Sequence, residues 1–284
     1  MLAPFLIMLR EGLEAALIVG VIASYLRQTG RDGWLPAIWI GVLLAVAASF
    51  AVGAALEFAS AEFPQKTQEL FEALVGLVAA SLLTGMVFWM RKAARTIASD
   101  LRHSVDEAFA TGSGAWGLVA MAFFAVAREG LESIFFLLAI VQQSPGPGAA
   151  LGALAGVAVS VAVGYAIFHG GARIDLRRFF RWTGVLILIV AAGLLAGVVR
   201  QLHEAGLWNL LQTLAYDLTG VLPVSSPVGA VLAGLFNYHD APTVGEAAVY
   251  VAFLAVTLFL LLRPHAPAPA SQAATPVQPA RVRP

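Results

Sequence analysis

Cysteine is absent from this 284-residue chain, which removes disulfides, iron–sulfur clusters, haem thiolates and soft thiolate metal sites together. Charge is scarce. Only 12% of residues are charged against 60% hydrophobic, where a soluble domain carries roughly 25% charged. With a mean hydropathy of +0.83, the shortage points to lipid as the solvent. Histidine is thin and badly placed for a buried site. His103, His169, His203, His239 and His265 all fall in connections, at span ends or in the tail. That leaves no buried imidazole for a di-iron carboxylate bundle, which pairs Glu-x-x-His segments with further Glu, and such a membrane-embedded metalloenzyme is the weaker alternative. The first apolar run lacks a basic leader and is too long for a signal h-region, so it reads as a retained span.

What the chain does have is long apolar runs, at about 3–26, 35–56, 70–90, 115–141, 149–168, 180–199 and 244–262. Each approaches the ~20 residues that cross a hydrocarbon core of roughly 30 Å. The expected fold is an all-α polytopic membrane protein with seven transmembrane helices. Of the 17 Lys and Arg, Arg10 and Arg128 lie inside spans, Lys66 and Arg200 fall on one face, and all the others on the opposite face. By the positive-inside rule that places the N-terminus outside and the C-terminus inside. Acids lean outward, with Glu57, Glu62, Glu69, Glu72, Glu204, Asp217, Asp240 and Glu246 at the sparsely basic face, where a negative mouth concentrates cations.

The chain also repeats itself. Arg10-Glu-Gly-Leu-Glu14 in span one recurs as Arg128-Glu-Gly-Leu-Glu132 in span four. Stretches around Ser49 in span two and Ser160 in span five correspond, as do Ala79–Val87 in span three and Ala191–Val199 in span six. Three spans per copy is odd, so the second copy enters from the other side: a 3+3 inverted repeat plus one extra helix, the architecture of secondary transporters. The expected units are residues 1–90, the first three-helix repeat, and 115–199, the second. An external connection over 200–243 follows, then the seventh span over 244–262 and a disordered cytoplasmic tail over 263–284. Within the connection, Leu207, Leu210, Leu211, Leu214 and Leu218 form a helical stripe read as an interfacial helix. The short run 228–236 cannot span and reads as re-entrant.

Six charges sit near the bilayer middle, each costing roughly 2.5–3.5 kcal/mol there. Residues three and four apart share a helix side, so each motif presents two carboxylates with a guanidinium beside them. Four Glu against two Arg leave a net −2. Pairing alone does not explain that imbalance. Glu11, Glu14, Glu129 and Glu132 facing one another would form an anionic oxygen cage for a hard cation. The spacing of Gly12, Ala16 and Gly20 lets a partner backbone approach closely. Ser49 and Ser160 read as bonding back to their own helices. Glu57, Glu69, Glu72 and Asp240 are candidate entry-site residues, with His203, Tyr238 and His239 near an incoming metal.

An Arg-Glu-x-x-Glu motif in spans one and four of seven resembles the high-affinity iron permease family, the oxidase-dependent iron transporters, some relatives of which are linked to lead. Phe71-Glu72, Met86–Met90 and Tyr238–Pro242 support the likeness. The resemblance implies a permease, not an enzyme, that takes iron into the cytoplasm as transported substrate with no fixed cofactor. It implies Glu11, Glu14, Glu129 and Glu132 as iron ligands beside Arg10 and Arg128. It also implies an inner-membrane location and a separate ferroxidase, peroxidase or periplasmic iron-binding partner, with no nucleic-acid partner. An all-oxygen cage leans to ferric over ferrous iron; lead and manganese are the alternative cargoes.

Overall fold

The computed structural model describes residues 2–61, 63–93, 97–110, 112, 114–143, 147–168 and 176–263. Each apolar run becomes a helix: α1 (Leu2–Gln28), α2 (Leu35–Ala61), α3 (Gln65–Ala93), α5 (Gly114–Gln143), α6 (Pro147–Phe168), α7 (Leu176–Glu204) and α9 (Val244–Leu262). Two shorter helices complete the set, α4 (Ile97–Ala110) and α8 (Pro227–Phe236). Among the described residues no helix gives way to a sheet, and the fold is all-helical.

Five helices are long and apolar enough to cross a membrane, over Asp32–Ser60, Gln65–Met90, Gly148–Ala166, Trp182–Glu204 and Val244–Leu262. The other two long helices, α1 and α5, have the length but each carries an Arg-Glu-Gly-Leu-Glu segment. Large apolar side chains face outward from α2, α6 and α9, among them Leu43, Phe50, Phe58, Leu154, Val161 and Val251. Exposed apolar belts of this extent suit contact with lipid tails. The molecule is a multi-pass membrane protein.

Helices next to each other in sequence barely touch: α1 with α2, α2 with α3, α5 with α6. The main packing instead runs across the chain, α1 on α6, α2 on α5, and α3 on α7, with α9 laid against α7. Close crossings need small residues, because lipid supplies no hydrophobic drive and van der Waals contact must do the holding. Gly12 meets Ser160, and Gly130 meets Ser49.

Two apolar layers form along α1 and α5. One joins Ala3 and Ile7 of α1 to Phe136 and Ala139 of α5, with Leu83 of α3 and Leu188 of α7. The other joins Ile18, Ile22 and Leu26 of α1 to Leu118 and Ala122 of α5, with Ile38 of α2 and Val105 of α4. The start of α1 thus lies with the end of α5, so these two helices run antiparallel and touch.

Two segments differ from the sequence reading. Helix α4 falls in a stretch read only as a connection. Leu101, Val105 and Phe109 recur every fourth residue and pack on the second layer, with polar residues such as Arg102, His103, Asp106 and Glu107 between them. Its dock is fastened by Tyr25 Oη donating to Asp106 at 2.6 Å and by Arg31 at 3.3 Å from the same carboxylate.

The leucine stripe from Leu207 to Leu218 is not a helix. Gly206 and Leu211 have φ of 76° and 59°, which breaks a right-handed turn. The segment instead bonds to the chain entering α9: Ala215 N donates to Pro242 O, Leu218 N to Asp240 O, Val244 N to Thr213 O and Gly245 N to Leu211 O. Long-range backbone pairing has overridden the local period. The run 228–236 is α8, ten residues capped by Ser226, whose side chain accepts from Gly229 N. At 1.5 Å per residue, α8 is about 15 Å long. The tail beyond residue 263, with Arg281 and Arg283, lies outside the described residues, as do Arg95 and Arg173 among the basic residues used for orientation.

Candidate metal centre

The two charged segments meet where α1 and α5 cross, between the two apolar layers. Oxygens of Glu11, Glu129 and Glu132 all lie within 4.8 Å of one another. The three side chains are buried, Glu11 at 1% exposure. Glu14 is buried too but stands outside this group; Arg10 Nε lies 3.0 Å from its Oε1. The sequence reading made the four glutamates equivalent ligands. The structure brings Glu11, Glu129 and Glu132 together, and each motif arginine stands beside the last glutamate of its own segment, Arg10 by Glu14 and Arg128 by Glu132.

The centre is strongly under-satisfied. Both carboxylate oxygens of Glu11 lack a hydrogen-bond donor, as do Glu14 Oε1 and Glu129 Oε2. Arg10 Nε and Nη1 lack an acceptor; the 3.0 Å approach to Glu14 is an ion pair in distance without a hydrogen bond's alignment. A buried carboxylate without partners costs several kcal/mol, and buried polar groups in folded proteins are nearly always paired. Oxygen-only donors converging from two helices can hold a hard cation, and no thiolate or imidazole is at hand to select a soft one.

Arg128 is placed differently from Arg10. Its Nε donates to Glu132 Oε1 at 3.0 Å, and its guanidinium lies 4.7 Å from the centroid of Trp89. Half of its side chain is exposed.

The candidate entry residues do not assemble into a site. Glu57 is exposed at the end of α2. Glu69 accepts from Gln65, and Glu72 from Gln68 and from Gln201 of α7, at 3.2 Å each for Glu72. Asp240 accepts the amide of Val224. It borders a separate cavity of about 440 Å³ with Arg200, Tyr216, Tyr238, His239 and Glu246. The phenols there are structural: Tyr216 donates to His239 O and Tyr238 to Leu222 O. Burial, with nearby Glu246 and Asp240, pushes the Tyr216 phenol above its usual range, so it stays neutral. His203 meets the Trp208 carbonyl at 3.0 Å.

Sequence reasoning missed Gln201 and Asn237. Asn237 sits in the left-handed region at φ 51° after α8, where its side chain donates to Gly193 O at 2.9 Å. No local pattern signals a partner 44 residues away.

The iron permease FTR1 family model matches residues 1–268. The ferrous iron permease EfeU of Yersinia pestis is 52% identical over 265 residues, 93% of this chain and 94% of the relative. The protein of the same name from Escherichia coli O157:H7 is 51% identical over 276 residues, 96% of this chain and 100% of the relative. No solved structure gives a significant match.

Proposed function

The chain belongs to the iron permease FTR1 family, and on that premise we propose that it carries iron across the cytoplasmic membrane through the carboxylates of Glu11, Glu129 and Glu132. The observation that carries this reading is the convergence of three buried carboxylates from two antiparallel helices, with both oxygens of Glu11 left without a donor. A cation bridging them replaces the missing partners. Glu14, held by Arg10, is the fourth glutamate of the set and accepts the ion as it moves.

The topology follows the same reading: seven spans, with α1 and α5 crossing despite their charges because Arg10 and the four glutamates are buried inside the bundle and not in lipid. The helices α1–α3 and α5–α7 are inverted copies. Two offsets of the sequence repeat, 12 to 130 and 49 to 160, carry the Gly12–Ser160 crossing onto the Gly130–Ser49 crossing. That reciprocity supports a two-fold relation through the carboxylate cluster. The basic face lies in the cytoplasm.

Oxygen ligands lean toward the harder ferric ion, whereas the relatives are named for ferrous iron. Carboxylates accept both, so we take ferrous iron as the cargo. Reduced radio-iron uptake into cells depends on the cluster: Glu11→Gln lowers it about a hundredfold or more, the scale of losing a directly positioned group, with membrane expression unchanged. Wild-type uptake by Glu11→Gln and Glu129→Gln would overturn the reading, and faster uptake of iron kept oxidised would reverse the choice of ion.

A further inference from the structure

Two of the three converging carboxylates are followed by glycine: Gly12 follows Glu11 and Gly130 follows Glu129. Neither glycine is needed for its backbone angles, since both sit inside regular helix. They are needed for room. A Cβ on Gly12 would fall on the hydroxyl of Ser160 and 2.7 Å from its Cβ; one on Gly130 would fall on the hydroxyl of Ser49 and 3.0 Å from its Cβ. Both serines are buried, Ser160 at 1% exposure.

The serine hydroxyls are already committed. Ser49 donates to Ala45 O at 2.9 Å and Ser160 to Val157 O at 2.8 Å. Each hydroxyl has one hydrogen and two lone pairs, so what remains against the glycine is acceptor only. A glycine Cα–H facing that oxygen makes a weak hydrogen bond of a kind that recurs at close helix crossings. The crossing has shape and a weak polar contact.

Each crossing also joins the two halves of the chain. Helix α6 seats α1 through Ser160, and α2 seats α5 through Ser49. A motif helix cannot turn or slide without driving its backbone into a serine, and the adjoining carboxylate moves with it. Oxygen-ligated cations bind within a narrow range of roughly 2.0–2.6 Å, so displacement at the glycine is read directly by the cluster.

We propose that Ser160 on Gly12 and Ser49 on Gly130 are paired positioning residues that set the spacing of the Glu11, Glu129 and Glu132 carboxylates, and through it the affinity for the transported cation. This rests on the cluster being the transport site.

The test is iron uptake kinetics of the full chain reconstituted in liposomes. Gly12→Ala should raise KM about tenfold or more, a size in keeping with the ~1 Å misplacements that cost up to a hundredfold, with a smaller change in maximal rate. Adding Ser160→Gly to Gly12→Ala should return KM to within about threefold of wild type, while adding Ser49→Gly should not; that matched-against-mismatched contrast is a double-mutant cycle. Gly130→Ala should show the converse preference.

Should the alanine variants fail to insert, Ser49→Ala with Ser160→Ala keeps near-native volume, and its KM should rise about two- to fivefold through loss of the two weak contacts. A KM unchanged in Gly12→Ala or in the double serine variant, or equal rescue by the mismatched pair, overturns the inference. Normal transport by Glu11→Gln overturns the cluster itself. Loss of transport there with unaltered KM in the glycine variants overturns only the positioning.

Discussion

Arg10-Glu-Gly-Leu-Glu14 and Arg128-Glu-Gly-Leu-Glu132 are the same five residues in two places, and the structure treats them differently. Arg10 is 1% exposed, with two guanidinium nitrogens lacking acceptors. Arg128 is half exposed, bonds Glu132 with good geometry, and has Trp89 against its face. The first copy contributes Glu11 alone to the carboxylate group; the second contributes both Glu129 and Glu132. Identical local sequence has produced one closed half and one open half. The difference comes from neighbours that the repeat does not duplicate, Trp89 of α3 among them.

Substituting the two arginines separately is the sharpest way to break this comparison. Arg10→Met should destabilise the folded protein by about 3–5 kcal/mol, the cost of leaving buried partner charges uncompensated. Arg128→Met should cost less, because half of its side chain already lies outside the protein core. Thermal unfolding in one detergent measures both, and equal losses would show that the two halves are energetically alike.

Trp89→Leu comes next. It removes the ring over Arg128 and should cost about 0.5–2 kcal/mol without altering the response to Arg10→Met. Strong non-additivity with Arg10→Met, measured by the same unfolding, would mean the two halves are coupled after all. The smallest effect is expected at Asp106→Asn. The Arg31–Asp106 pair is 37% and 53% exposed, and exposed pairs give about 0–1 kcal/mol, so this variant should unfold within ~0.5 kcal/mol of wild type. A larger loss would make the α4 dock a third buried element.

Particular segments show why some of this was legible beforehand and some was not. The apolar runs became helices within a few residues of their expected ends, because a helix in lipid satisfies its own backbone and little else can. The charged motifs announced themselves as buried charge in apolar helices. Helix α4 did not, since fourteen largely polar residues are held by docking Val105 and Phe109 on neighbours, not by composition. The leucine stripe after Gly206 misled for the opposite reason. Its period is helical, but its amides find carbonyls at Asp240 and Pro242, which no local window contains.

By itself, then, the sequence determined the solvent, the helices, the lack of soft ligands and the surplus of two carboxylates over guanidinium, all of which are properties of composition and of segments. Only the tertiary structure decided that Glu11, Glu129 and Glu132 converge while Glu14 pairs with Arg10, and that Ser160 and Ser49 seat the motif glycines. Those outcomes depend on the rotation and partner of each helix. In a bundle where α1 packs on α6 and α2 on α5, the partner of Gly12 is Ser160 and that of Gly130 is Ser49, both far outside any local window.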